Sequence, residues 1–246
     1  MNKLNWQGSF SSKFHKSWHP FMEKIITSPE MWELFQFFKQ ENAKPGVKLT
    51  PESGNLFNSF KIDLNKLSIV LMGQDAFPQY SNGIYTANGV AFCCGNTKKL
   101  QPSLEKIYDG ILDDCYKDYE RKADLFKLPE LSGITQQGIM LTNAALNCPV
   151  GKPGEYFERW KPFWTMVFKD VFELYPGLVF ILMGKNAQFY EGYTLPFGHH
   201  VLQCEHPAAA CYANREFQHN NVFSKAKQLV YDYNKKQINW MSDIPF

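Results

Sequence analysis

The chain has 246 residues, of which 44% are hydrophobic, 20% charged and 16% aromatic, a balance that excludes a disordered tail, a collagen-like chain and a coiled coil. Lys and Arg number 26 against 24 Asp and Glu, a formal net charge of +2, which on its own argues against a nucleic-acid coat protein or a polybasic membrane binder. The longest uninterrupted apolar run, Leu178 to Met183, falls far short of the roughly 20 residues that span a bilayer.

The first residues, MNKLNWQGSFSSKFHKSW, lack an apolar stretch of signal-peptide length. An intracellular, cytoplasmic location (nuclear in a eukaryote) with no membrane partner is therefore expected. The cysteines, Cys93, Cys94, Cys115, Cys148, Cys204 and Cys211, form no CxxC pair, so reduced thiols are expected and no metal site.

No repeat or Gly/Ser-rich linker divides the sequence, so 1–246 reads as a single domain, with 1–14 as a segment that could be flexible. Trp18, Phe21, Met22 and Ile25 fall at helical spacing. Ser28-Pro29-Glu30 then supplies an N-cap, a first-turn proline and a first-turn acid for a second helix. Its apolar stripe is Met31, Leu34, Phe35 and Phe38. Residues 42–64, rich in Pro, Gly, Asn and Ser, read as an irregular connection.

Five short apolar runs follow: Leu67–Met72, Gly89–Cys93, Ile139–Thr142, Leu178–Met183 and His200–Cys204. Each has strand length, and several are apolar on both faces, as strands covered from both sides must be. Amphipathic patterns predict helices over Ser103–Cys115, 160–175 and from Val222 to Tyr233. Strands alternating with helices indicate a parallel, layered α/β domain. Ligands of such sheets bind beyond the carboxyl ends of the strands, so chemistry is to be sought there.

Those ends carry Gly73-Gln74-Asp75-Ala76-Phe77-Pro78, Phe92, Asn143, Gly184-Lys185-Asn186 and Glu205-His206-Pro207-Ala208-Ala209-Ala210. One carboxylate, one carboxamide, one imidazole and two aromatic rings thus converge on one edge. No nucleophile elbow, GxGxxG or GxxxxGK[ST] is present, which removes support for a nucleotide triphosphatase or a dinucleotide-dependent dehydrogenase.

This set resembles the uracil-DNA glycosylase family, in its uracil-N-glycosylase branch. The family's GQDPYH loop, G-[LV]-x-F strand, LLLN strand end and HPSPLS loop correspond to GQDAFP at 73–78, GVAF at 89–92, QGIMLTNAAL at 137–146 and HPAAAC at 206–211. QPSLEKIY at 101–108, GLVFILMG at 177–184 and INW at 238–240 add to the colinear match. The resemblance implies a three-layer sandwich with a central, mainly parallel four-stranded sheet flanked by helices. It implies hydrolysis of the bond between deoxyribose and uracil in DNA, the opening step of base-excision repair, with no cofactor or metal.

Asp75 would then stabilise the oxocarbenium-like sugar and orient the attacking water, and His206 would donate, as a neutral imidazole, to the uracil O2. Asn143 would read the base edge, since a carboxamide offers an acceptor to N3–H and a donor to O4, a pairing cytosine cannot meet. Phe92 would stack on the extruded base, Phe77 would block a 5-methyl group, and Gln74 completes the uracil-binding set. Phosphates would be gripped by Gln101-Pro102-Ser103, Gly184-Lys185 and the late loop with Pro207, Ala208, Ala210 and Tyr212. Three or four such contacts need few cations, which makes the near-neutral charge tolerable and predicts a slope of roughly −3 in log K against log salt.

The sequence departs from the family in five places. Ala76, Phe77 and Pro78 stand where Pro, Tyr and His are usual, although poxvirus members share the proline and an HPAA loop. Between Asp75 and Phe92 the chain is about four residues longer, around Gln79–Tyr85. Ala210 falls where the family's leucine wedges into the base stack, and Tyr212 is the nearby substitute; without a wedge, single-stranded DNA would be preferred over double-stranded. A monomer is expected, with a proteinaceous glycosylase inhibitor as a further conceivable partner. Two alternatives stay open at this stage: a glycosylase for a 5-substituted uracil, and a weakly catalytic DNA-binding or replication-complex subunit on the same fold.

Overall fold

A computed structural model of the chain describes residues 3–117 and 129–241. Its centre is a four-stranded sheet made of β1 (Ile69–Asp75), β2 (Ile139–Ala145), β3 (Val179–Met183) and β4 (His200–Cys204). The strands lie in the order β2-β1-β3-β4 and every pairing is parallel. Parallel neighbours need long crossovers, and those crossovers place helices on both faces.

Alternation along the strands divides the core in two. Val70, Met72, Met140, Phe180 and Leu182 point into one buried cluster with Trp18, Phe60, Trp160, Phe163, Trp164 and Phe168. Ile69, Leu71, Ile139, Leu141, Val179, Ile181 and Met183 point into the other, with Leu104, Ile107, Ile111, Val222, Phe223 and Ala226. The first cluster sits under α1 (His19–Ile26), α2 (Pro29–Asn42) and α4 (Phe157–Asp170); the second sits under α3 (Pro102–Cys115) and α6 (Val222–Asn234). The result is the three-layer α/β sandwich with a four-stranded parallel sheet. Wholly buried rings such as Trp18, Trp160 and Trp164 each hold this arrangement by several kcal/mol, since truncating such a residue to alanine typically costs about 3–5.

Local signals act as expected in α2, where the Ser28 hydroxyl accepts from the Met31 amide at 3.3 Å and Pro29 occupies the first turn. Three expectations change. Gly89–Cys93 is no strand: Ala91 N–H donates to Leu141 O at 3.1 Å, but Gly89 and Phe92 have φ of +87° and +63°, which breaks any ladder. The helix expected over 160–175 ends at Asp170, and Phe172–Leu174 forms a separate 3-10 turn. Within 3–14, Trp6, Phe10 and Phe14 are buried against the aromatic half of the core, so packing rather than propensity orders this segment.

The stretch expected to be longer than in the family contains a hairpin, Tyr80–Ser81 against Ile84–Tyr85, turning at Asn82-Gly83. Both turn residues have positive φ, 52° and 81°, the backbone that a two-residue hairpin turn demands and that Asn-Gly supplies at low steric cost.

Candidate active site

In a sheet ordered 2-1-3-4, the chain reverses its direction of growth between β1 and β3, and the loops part there to leave a crevice. Two glycines shape the site beside that crevice. Gly73 of β1 lies in register with Asn143 of β2. A Cβ on Gly73 would stand 2.7 Å from Asn143 Oδ1 and 2.8 Å from Phe92 Cζ, so only glycine lets the amide and the ring meet there. Gly184 follows β3 with φ +83°, and a Cβ on it would stand 2.8 Å from His206 Cβ and 2.9 Å from Gln74 Nε2.

Phe92 holds its left-handed backbone although it is a bulky aromatic residue, a conformation that persists only where surroundings impose it. Its ring centroid lies 5.8 Å from that of His206, with the planes inclined by 35°.

A cleft of ≈ 420 Å³ opens on this edge. Gln74, Asp75, Phe77 and Pro78 line it from the end of β1, Phe92 from the loop before α3, and Gln101, Pro102 and Ser103 from the start of α3. His206, Ala208 and Tyr212 close it from the late loop and α5 (Pro207–Tyr212). Asn143 lies just behind, 8% exposed, where the absent Cβ of Gly73 leaves room for it.

Lys185 is exposed beside the buried Gly184. Pro207 and Ala210 are buried; Ala210 belongs to the core cluster under α3, so its methyl faces inward rather than into the cleft. Tyr212, 88% exposed, is the large ring at this rim.

Hydrogen bonds fix the walls. Carbonyl oxygens along the loop after β1 are held in turn: Ala76 O by Cys148 Sγ at 3.4 Å, Phe77 O by Thr50 Oγ1 at 3.0 Å and Pro78 O by the Gly151 amide at 2.9 Å. Arg215 grips Glu205 through two nitrogens, each at 2.6 Å from a carboxylate oxygen. The Gln218 amide adds a third bond to Glu205 at 2.7 Å, so the late loop is clamped at both ends. Behind the site, Trp164 Nε1 donates to Asn143 O at 3.1 Å and Trp160 Nε1 to Asn147 Oδ1 at 2.8 Å, tying the end of β2 to the aromatic core.

Burial tunes the two titratable groups in opposite senses. It raises the Asp75 carboxyl to about 6, against a smaller lowering by a hydrogen bond from the Gly154 amide. Asp75 Oδ1 is buried and has no hydrogen-bond partner among the described residues. Burial lowers His206 to about 4. The Ala208 amide donates to His206 Nδ1 at 3.3 Å, and a neutral imidazole that accepts at Nδ1 carries its proton on Nε2. The cleft thus presents a carboxylate whose ionisation is costly, a neutral N–H donor, a carboxamide and a ring face. Among the described residues, no group of three or more His, Cys, Asp or Glu is arranged to hold a metal ion, and no helix is long and apolar enough to cross a membrane.

Sequence reasoning overlooked Pro153, Gly154 and Cys211, which also line the cleft. A signal existed for the first two: the turn-forming Gly151-Lys-Pro-Gly154 after β2 brackets a proline between two glycines, each with positive φ.

This architecture is that of solved uracil-DNA glycosylases. The crystal structure of mimivirus uracil-DNA glycosylase superposes with a TM-score of 0.81 at 20% identity, covering 97% of this chain and 90% of that one. A mimivirus UNG variant solved in complex with UGI superposes at 0.78, and the UNG from Nitratifractor salsuginis at 0.60 with 19% identity. Curated relatives extend the likeness to sequence. A protein of Amoebophilus asiaticus named uracil-DNA glycosylase is 29% identical over 226 residues, 91% of this chain and 97% of its own length. One of Alkaliphilus metalliredigens with the same name is 28% identical over 234 residues, 93% and 96% of the two chains. No protein-family model matches the chain. The resemblance to uracil-DNA glycosylases holds in sequence over nine-tenths of the chain and in fold over nearly all of it.

Proposed function

We propose that this chain is a uracil-DNA glycosylase: it hydrolyses the N-glycosidic bond of deoxyuridine in DNA, releasing free uracil and leaving an abasic site for base-excision repair. The observation that carries the reading is the pairing, across one cleft, of the buried Asp75 carboxyl with a neutral His206 imidazole whose proton is on Nε2.

Departure of the base leaves positive charge on the sugar and negative charge on uracil. The Asp75 carboxylate opposes the first and orients water; the His206 Nε2–H donates to O2 as the second develops. A neutral donor suits a uracil anion better than an imidazolium, which would lose its proton to bulk water at the working pH. Asn143 reads N3–H and O4, Phe92 stacks on the base, and Gln74 and Phe77 border it, the phenyl ring of Phe77 excluding a 5-methyl group. Gln101, Pro102 and Ser103, the Gly184-Lys185 turn and the Pro207-Ala208 segment grip the flanking phosphates. Tyr212 stands in for the wedge that Ala210 cannot provide. The protein works as a single-domain monomer on single- or double-stranded DNA, and a proteinaceous inhibitor that fills the cleft is a partner of the same reading.

The test is release of uracil from oligonucleotides carrying uracil, thymine or 5-hydroxymethyluracil, with alkaline cleavage of the abasic sites. Breaks at uracil alone are expected; none on any substrate sinks the proposal. Because Asp75 acts as its carboxylate and ionises near 6, kcat/KM is expected to climb with pH through about 6 and then level. His206, which protonates near 4, adds no limb above that. A second break near pH 7 that vanishes in His206→Asn would contradict the neutral donor.

Asn143→Asp removes the donor and leaves two acceptors, which suit the exocyclic amine of cytosine. The uracil-to-cytosine ratio of kcat/KM should drop at least about a hundredfold, within the range that matched hydrogen bonding commands. An unchanged ratio would take base reading away from Asn143.

A further inference from the structure

The stretch from Ala76 to Leu104 carries no acidic residue, and its only charges are Lys98 and Lys99. Contacts bind it into one rim beside the cleft. Gln101, which lines the cleft, donates from Nε2 to Lys99 O at 3.2 Å. Five residues before Gln101, Asn96 Nδ2 donates to Tyr85 O at 3.2 Å and Ala87 O at 3.3 Å, fastening the lysine loop to the hairpin. Within the hairpin the rings of Tyr80 and Tyr85 lie 4.6 Å apart. Lys48 donates from Nζ to Tyr80 Oη at 3.1 Å and stands 4.2 Å from the ring centroid.

An isolated two-stranded hairpin is marginal in water. This one is held from outside by Lys48 and Asn96, and closed at its base by the Thr86 amide on Gln79 O at 3.1 Å. Gln79 itself lines the cleft. Lys48, Lys98 and Lys99 are exposed, and among the described residues none of the three forms an ion pair. Ile84 at the tip is 48% exposed. A projection that itself carries no acidic residue, with Lys98 and Lys99 exposed, the Lys48 ammonium held on Tyr80 and apolar surface in water, serves no core of its own.

We infer that the hairpin Tyr80–Tyr85, with Lys48, Lys98 and Lys99, is a second nucleic-acid contact outside the cleft, holding the phosphodiester backbone of the DNA strand that leaves the cleft past Gln101. The inference rests on the reading of the cleft as a DNA site. The occupant is a polyanion rather than an acidic peptide because the rim is continuous with Gln101-Pro102-Ser103, where the substrate strand itself would pass.

The test compares binding to a trinucleotide and to a single strand of about 15 nucleotides, each with one tetrahydrofuran abasic analogue, over a range of salt concentrations. Lys98→Ala/Lys99→Ala should make the long strand's log K against log salt shallower by ~1.4, two contacts at ~0.7 each, while the trinucleotide, too short to reach them, keeps the wild-type slope. Bridging Gln79 to Thr86 with a two-residue turn, in place of the hairpin, should weaken the long strand several-fold more than the short one. If both variants match wild type on the long strand, the inference fails. Uracil release by the wild-type chain is assayed alongside: its absence defeats the glycosylase reading, and the salt slopes still decide the hairpin.

Discussion

Asp75→Asn is expected to cripple the protein and to stabilise it. Losing the carboxylate should lower single-turnover uracil release by at least ~10²–10⁴, the range of a general-base contribution alone. The same change removes a group that the fold finds costly to ionise. The Asp75 pKa lies at about 6 in the folded chain against an ordinary 3.8, so folded protein binds this proton more tightly than unfolded chain does. The contribution of this one group to stability is therefore fullest below pH 3.8 and declines as pH rises toward 6, where the ionised carboxylate becomes a standing penalty of up to about 3 kcal/mol. Asn carries no such penalty. Melting curves should show the variant more stable than wild type at pH 8 and no more stable at pH 4. A variant with wild-type turnover would remove Asp75 from the mechanism; one less stable at both pH values would mean that burial is not what raises the carboxyl.

The second large effect comes from one methyl group. In Gly73→Ala, the new Cβ would stand 2.7 Å from Asn143 Oδ1 and 2.8 Å from Phe92 Cζ, closer than van der Waals contact permits. Asn143 is fastened through its carbonyl to Trp164, and Phe92 already holds a strained φ of 63°, so neither can yield without losing its place. A displacement of about 1 Å at reacting or reading groups costs about 10²-fold. We expect a loss of that order in kcat/KM for uracil release, with binding to undamaged DNA unchanged because the loops proposed to grip phosphate lie elsewhere. Equal loss of both would point to a general disturbance of β1.

The fold was legible wherever local chemistry decides. The Ser28-Pro29-Glu30 start of α2 and the apolar runs of β1 to β3 carry their own signals, and a run apolar on both faces has few places to go except the middle of a layered sheet. What stayed hidden depends on contacts between distant segments. Gly89–Cys93 has the composition of a strand, yet Gly89 lies so close to Asn55 O that a Cβ would overlap it, and the chain bends there. Gly154 bonds to Asp75 from a loop that the Gly151 amide ties to Pro78 O. Ala210 matched a motif position, but its burial under α3 follows from the pitch of α5 rather than from the motif. The candidate site was legible as residue types at strand ends; the neutral state of His206 came only with the family resemblance, and its cause, like the costly ionisation of Asp75, is burial that no sequence motif displays.

β1, which ends in Asp75, is bonded to β2 on one side and β3 on the other and covered on both faces. It is the part of the molecule least free to open, the last where amide protons should exchange. A carboxylate mounted there cannot follow a substrate. On the proposed reading the adjustment falls to the DNA, whose nucleotide swings out of its helix to meet groups that do not move, so the ease with which each nucleotide bends away from its neighbours is tested before Asn143 reads its base.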